Sequence, residues 1–479
     1  MKSKPPKGAN SLNILLSNGR FPVAIDLARQ LRRAGHTVYA VDPMHYHVCK
    51  FSNVVKKSFQ VAAPRDDAAG YIAGVKKVVK EEQIDLIIPL HEEIFYLAEC
   101  DDREILDRLF APPLDKLMRL HDKWWFNQFL ERIGLDCPKS KLCYSMDDVR
   151  ALDRTMEWAV KPVFGRAASK VYHLKPEEPI PDIDISNEEH YIAQEWLHGL
   201  RYCSYSVLRD GQLRALSVYP VKDTIDGSSC VYFESTEHEG IRDYVEKIAE
   251  GHPGVTGQLA FDFIETKEGR LVAIECNPRA TSGIHLYSGH QDLARCITEP
   301  SVDVDGEIVI PRNGSRPRKI APGMLMVPRK SHATMHEYLL HLKRLVRSRD
   351  VTFAASDPLP SLMQPFLVTS YYKICQEKGG INIPTMFQMD LVWEPVGEHL
   401  EKVRTMLKHM AEESEKEGPR DEIMRIGEEV TSNTGERQVD ELKSNDGVRG
   451  GESDHMLNGM TNGKNDHMSN AMPNPVAVR

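Results

Sequence analysis

Two carboxylates and an amide stand where strands of this kind carry apolar residues. In the stretch 257–283, GQLAFDFIETKEGRLVAIECNPRATSG, Asp262, Glu275 and Asn277 interrupt two almost wholly apolar runs. Side chains alternate faces along a strand, so Glu275 and Asn277 share one face. If Glu268-Gly269 forms a two-residue turn, cross-strand partners have numbers that sum to 537, which pairs Asp262 with Glu275. Cross-strand partners point the same way, so the three groups converge. Such a set of hard oxygens suits Mg²⁺ or Mn²⁺, with the remaining ligands drawn from water and phosphate. The reading depends on register, because a one-residue bulge would send Asp262 to the other face. The plainer alternative is a half-exposed hairpin with a polar solvent face. Against it, a carboxylate among apolar neighbours needs a partner or a metal.

A cation site for phosphate also needs fixed positive charge, and two lysines upstream are placed to supply it. Asp122 is a good N-cap for a helix whose apolar stripe is Trp125, Phe126, Phe129, Leu130 and Ile133. That puts Lys123 in the first turn, where a cation opposes the helix dipole unless an anion is near. Trp158–Val160 ends a strand, and Lys161-Pro162 follows, leading into a small-residue loop, Val163–Val171. A lysine leaving a buried strand beside such a loop can place its ammonium on phosphate while backbone N–H groups approach the same oxygens. A solvated lysine in a hairpin turn is the simpler reading of that segment alone.

These groups must be held by a frame. The chain opens with a strand at Leu12–Leu16, a helix at Pro22–Ala34 stopped by Gly35, and a strand at Thr37–Val41. This β-α-β order predicts a parallel sheet with a right-handed crossover. A helix at Tyr71–Glu82 and a buried strand at Ile84–Leu90 continue it. The first turn lacks G-x-G-x-x-G, so it is not read as a dinucleotide site. Arg20, His91, Glu92 and Glu93 follow the carboxyl ends of strands, where open α/β sheets bind ligands, and are candidate substrate contacts. Further along, Tyr191–Leu197 and Tyr202–Leu208 are strands, and Met335–Val346 and Pro365–Lys378 are helices.

Taken in order, Lys123, Lys161-Pro162, Gln194-Glu195-Trp196-Leu197 with Gly199, and Asp262…Glu275-Cys276-Asn277-Pro278-Arg279 resemble the ATP-grasp enzymes, over roughly residues 12–300. The resemblance implies a fold of mixed class, α/β and α+β, with an N-terminal parallel-sheet domain at 12–115 and an ATP-grasp domain at 116–300. The latter includes a flap subdomain at about 135–198, and a C-terminal subdomain follows at 301–410. It implies ATP and Mg²⁺ (or Mn²⁺) as cofactors. Lys123 and Lys161 would hold phosphates, with the loop Gly165–Ser169, including Ala168, as the flap above them. Gln194, Glu195, Trp196 and Leu197 would form the adenine linker. Asp262, Glu275 and Asn277 would be the metal ligands, and Arg279 would steady a phosphorylated intermediate. Two departures stand out: the loop has a single glycine, and Arg201 occupies the place of an acid that binds the ribose. Asp122–Ser140, Arg209–Leu213 and Asp357-Pro358-Leu359-Pro360 are similar in outline to the ATP-grasp ligase that makes mycosporine-glycine.

The implied reaction phosphorylates a carboxylate and lets an amine displace phosphate. Two alternatives stay open: phosphorylation of a cyclohexenone enol oxygen before amino-acid attack, and nucleotide binding without catalysis. Thr281, Ser282 and His285 join the candidate substrate contacts; His285, Glu93 and His91 are the candidates for a general base. The expected partners are a small-molecule acid and an amine, with a homodimer left open. The net charge of −9 from 61 basic and 70 acidic residues provides no general basic surface for nucleic acid. Nine scattered cysteines without Cys-x-x-Cys fit reduced thiols in the cytoplasm. No apolar run is long enough for a membrane span. Residues 1–11 are expected to be a disordered leader. Residues 411–479, which lack any aromatic side chain, are expected to be a disordered acidic and polar tail.

Overall fold

The computed structural model describes residues 11–410 and 412, apart from 165–169, 187–188, 226–228, 300–306, 328–331 and 333. The glycine loop at 165–169, the leader expected from the sequence except Ser11 and the expected tail except Glu412 lie outside the described residues.

The chain opens with an all-parallel sheet of β1 (Asn13–Leu16), β2 (Thr37–Asp42), β3 (Val55–Gln60) and β4 (Leu86–Ile88), in the order β3-β2-β1-β4. Alternation decides what each face meets. Ile14 and Leu16 pack with the helix Pro22–Arg33, while Leu15 packs with Tyr71 and Val75 of the helix Ala68–Glu81. The apolar run 84–90 is longer than its strand, because β4 has only three partners on β1.

A second sheet contains β5 (Ser140–Cys143), β6 (Trp158–Pro162), β7 (Tyr172–Leu174) and β8 (Tyr191–Glu195), ordered β5-β8-β6-β7 and antiparallel throughout. The third begins with the long hairpin β9 (Gly199–Arg209) and β10 (Gln212–Pro220). Asp210 and Gly211 both take positive φ, 52° and 77°, the geometry of a tight two-residue hairpin turn. After three short strands, β11 (Thr224–Ile225), β12 (Ser229–Cys230) and β13 (Tyr232–Phe233), come β14 (Gly257–Thr266) and β15 (Leu271–Asn277). The third sheet is antiparallel in the order β10-β9-β14-β15. The helix Lys123–Arg132, capped by Asp122 through the N–H groups of Trp124 and Trp125, buries Phe126, Phe129 and Leu130 against it. The protein is thus of mixed class, a parallel α/β sheet followed by antiparallel α+β layers.

Polar contacts tie the first sheet to the third. Gln258 of β14 donates to the Pro89 carbonyl at 2.9 Å and accepts from the Tyr205 hydroxyl at 2.8 Å. His285 Nδ1 meets Asp26 of the first helix at 2.8 Å. The C-terminal part does not stand apart as its own core. Leu367, Tyr371 and Cys375, on the helix Gln364–Glu377, and Met386 share a core with β1 and β2. Asp357, from the Asp-Pro-Leu-Pro segment, is buried and accepts from Arg29, Ser52 and the Asn53 N–H. Trp393 packs on Phe95, and a helix over 397–410 adds Val403 and Leu407 to that cluster. No helix among the described residues is long and apolar enough to cross a membrane. All nine cysteines are free.

Arg20 is the polar keystone of this fold-back. Its fully buried guanidinium pairs with Asp42 at 2.7 Å and with Asp390 at 2.7 Å. Burial opposes ionisation of Asp42, but Arg20 outweighs it and holds the carboxyl below its ordinary 3.8. Arg20→Ala would strand that carboxylate, an expected loss of about 3–5 kcal/mol in urea unfolding. Asp390→Asn should cost less, because Asp390 keeps contact with water. A carboxyl depressed in the folded state stabilises above its ordinary value. The Asp42 contribution is therefore present at neutral pH and disappears as the pH falls below about 4, which unfolding at graded pH should reveal as a smaller deficit for Arg20→Ala in acid.

Candidate functional site

The hairpin β14–β15 carries the acidic pair, and its register is reached by an unexpected route. The turn holds three residues, Lys267, Glu268 and Gly269, closed by Thr266 N–H to the Arg270 carbonyl, with Gly269 at φ +84°. The two-residue turn expected from the sequence is therefore corrected. From Glu265–Leu271 to Phe263–Ala273 the partners run one residue short of the expected register. A bulge at Ile274 then restores it, so that Asp262 pairs with Glu275 and Ala260 with Asn277. One deviation cancels the other, and the three side chains share a face.

Along that face the third sheet presents rows of cross-strand partners. One row runs Tyr219, Cys203, Asp262, Glu275, with a residue from each of the four strands. The next runs Ser217, Tyr205, Ala260, Asn277. Ala260 leaves room beside Asn277, whose Nδ2 lies 3.4 Å from Asp262 Oδ2 and 3.4 Å from Glu275 Oε1. Its Oδ1 accepts from Arg279 Nη2 at 2.9 Å, which places the guanidinium beside the set.

The two lysines arrive from other elements. Lys161 is the fourth residue of β6, and its Nζ reaches the carbonyl of the bulged Ile274 at 3.4 Å. Lys123 opens its helix, and both its N–H and its Nζ face the Val163 carbonyl just after β6. Both lysines are almost wholly buried. Desolvation pushes the Lys161 ammonium down to about 8, with Lys123 adding to this while Glu275 and Asp262 oppose it. For Glu275, burial favours the neutral form, but Lys123 and Lys161 outweigh it and hold the carboxyl down. Asp262 is pushed up, first by burial and then by the negative charge of Glu275. The site is a cluster of opposed charges with little water to screen it.

Among the described residues no group of three or more His, Cys, Asp or Glu could hold a metal ion by itself. The set here is two carboxylates and an amide. The carboxylates fit a cation that takes its other ligands from phosphate and water, and the Asn277 oxygen joins them when the amide turns over, since its nitrogen now faces the carboxylates and its oxygen faces Arg279.

The candidate linker is an edge with defined neighbours. Gln194 is buried in β8. Glu195 Oε2 accepts from the Lys139 N–H at 3.1 Å and from Arg270 Nη1 at 2.9 Å. Trp196 stacks on His173 with ring centroids 3.7 Å apart. Its N–H bonds to the Glu157 carbonyl, whereas the Leu197 N–H has no hydrogen-bond partner among the described residues. Arg201, two residues before Cys203 on β9, is exposed and counters the upward push on Asp262. Gly165, Ala168 and Ser169 lie outside the described residues.

The candidates on the first sheet have other work. Arg20 is neutralised by two carboxylates. Glu93 Oε1 accepts from the Ser17 hydroxyl and from the N–H groups of Leu90 and His91, which braces the loop after β4. Glu92 accepts from the Trp393 N–H at 3.3 Å. His91 stacks on Phe21 at 4.7 Å. His285 is buried and oriented by Asp26, in a short 3₁₀ turn, Ser282–Tyr287, that Thr281 precedes. The engagement of Arg20 and His285 comes from long-range contacts that sequence-local reasoning does not reach, and Glu93 adds one such contact, from Ser17, to two local ones. Cys203 and Arg270 were missed for the same reason: their partners, Asp262 for Cys203 and Asp136 and Glu195 for Arg270, lie far away in sequence.

Residues 120–283 match the ATP-grasp domain family. The carbamoyl phosphate synthase large chain of Halomonas eurihalina is 23% identical over 239 residues, covering 45% of this chain and 22% of that protein. That of Thermotoga sp. (strain RQ2) is 24% identical over 241 residues, with the same shares of 45% and 22%. The chain thus spans about a fifth of the length of these curated relatives. Among solved structures, an L-amino acid ligase from Bacillus licheniformis aligns with a TM-score of 0.50 at 16% identity, over 63% of this chain and 77% of that one, a likeness of fold. The matched region, which carries both lysines and the acidic hairpin, is an ATP-grasp domain, and the likeness of fold extends beyond it.

Proposed function

We propose that the protein is an ATP-dependent ligase that joins an acid to an amine through an acyl phosphate, releasing ADP and phosphate. The observation that carries this reading is the meeting of Lys123, Lys161, Asp262, Glu275, Asn277 and Arg279 from separate elements around one point. Phosphoryl transfer asks for little covalent chemistry from the protein. It needs positive charge held around the transferring group and the reactants kept in line.

In this reading a substrate carboxylate oxygen attacks the γ-phosphorus, and the bond from that phosphorus to the β–γ bridging oxygen breaks. Lys123 and Lys161 lie against the phosphates, and their near-complete burial strengthens the attraction. Mg²⁺ or Mn²⁺ held by Asp262, Glu275 and Asn277 would neutralise charge on the phosphate oxygens. Arg279, already fixed by Asn277, faces the acyl phosphate. The amine nitrogen then attacks the acyl carbon, the C–O bond to phosphate breaks, and the nitrogen loses a proton. Gln194–Leu197 would take the adenine, with the Leu197 N–H as a donor to a ring nitrogen. His91, in the loop after β4, is one candidate for proton removal. A small acid and an amine are the partners this chemistry requires.

Incubation of the purified chain with ATP, Mg²⁺ and paired candidate acids and amines should release ADP and phosphate only when both partners are present. Release of AMP and pyrophosphate would overturn the mechanism. Lys161→Ala and Glu275→Gln should each lower kcat by about 10²–10³-fold, the range for losing one preorganised electrostatic partner of a transition state. Undiminished turnover in both variants would count against the site.

A further inference from the structure

The row Tyr219–Cys203–Asp262–Glu275 contains a group that the proposed chemistry leaves unused. Asp262 lies on β14, between β9 on one side and β15 on the other. From β9 the Cys203 thiol, its direct cross-strand partner, donates to Asp262 Oδ1 at 2.9 Å. From β15 the Asn277 amide lies 3.4 Å from the other oxygen, Oδ2. The two carboxylate oxygens therefore face different neighbours. One is tied to the thiol, and the other is turned toward the face that Glu275 and Asn277 share. Tyr219, the cross-strand partner of Cys203 on β10, stands on its other side.

A carboxylate that ligates a metal is usually oriented by a hydrogen bond to the oxygen it does not offer, and loss of that bond weakens metal binding by about 10–100-fold. We infer that Cys203 is a positioning residue for cation binding, fixing the rotamer of Asp262 so that Oδ2 is presented alongside Glu275 and Asn277. The inference rests on the reading of Asp262 as a metal ligand. It adds a side chain outside the ligand set, brought there by pairing between strands more than fifty residues apart in sequence. Serine at this position keeps a donor on nearly the same line, whereas alanine removes it and leaves Asp262 free to rotate.

Mn²⁺ binding to the full chain at saturating ADP, followed by electron paramagnetic resonance of the free ion, tests this. Thermal melting of each variant serves as a check on folding. Cys203→Ala should raise the Mn²⁺ dissociation constant by about 10–100-fold, while Cys203→Ser stays close to the parent protein. Equal weakening in both variants would overturn the inference, because the effect would then be one of packing and not of hydrogen bonding. Cys203→Ala binding Mn²⁺ as the parent does, with Asp262→Asn weakened, would overturn this inference alone. Unchanged binding in Asp262→Asn would remove the metal reading and this inference with it.

Discussion

Two carboxylates on adjacent strands, half-buried and pointing the same way, set the terms for the rest of the site. Like charges a few ångströms apart in a protein interior repel by on the order of 4 kcal/mol. Such a pair persists only where positive charge is brought to it. Here that charge comes from a helix start, a strand end and the residue after a hairpin, and no single element could supply all three. The arrangement of the second and third sheets around the helix Lys123–Arg132 can be seen as the means of delivering these groups to one place. Burial of the lysines raises the cost of leaving the charges unmatched, and it raises equally what an arriving polyphosphate gains.

The frame beneath this site is held by a different kind of contact. The first sheet meets the third through Gln258, Asp26 and His285, all hydrogen-bonded and out of water. It meets the C-terminal segment through Arg20 and Asp357. Buried polar groups of this sort restrict how elements can dock, because a small displacement leaves a donor or acceptor unmet. The carboxyl edge of a parallel sheet is where ligands commonly bind. In this chain much of its charge is already matched by the folded-back C-terminal residues.

What could be read in the sequence follows this division. The parallel opening, the Asp122 cap and the convergence of Glu275 with Asn277 depend on neighbours within a few residues, and periodicity and turn chemistry express them directly. Asp262 opposite Glu275 was also legible, although the reasoning assumed a simple turn where a longer turn and a bulge offset each other. Arg20, Glu93 and His285 looked like ligand contacts because polar residues at strand ends resemble one another until their distant partners are known. Arg20 needs Asp390, some 370 residues away, to explain it. Cys203 lies in an apolar strand with no unusual spacing, and only the pairing of β9 with β14 gives its thiol a meaning.

The offset between the turn and the bulge works like a parity check on the hairpin. The loop Lys267–Gly269 shifts the strands by one place and Ile274 shifts them back, so the count is even where the acids sit. Without the bulge, Ile274 would stand opposite Asp262 and Glu275 would turn to the other face. The bulge also turns a carbonyl out of the ladder toward Lys161. The same extra residue that brings Glu275 opposite Asp262 thus also gives a lysine its seat.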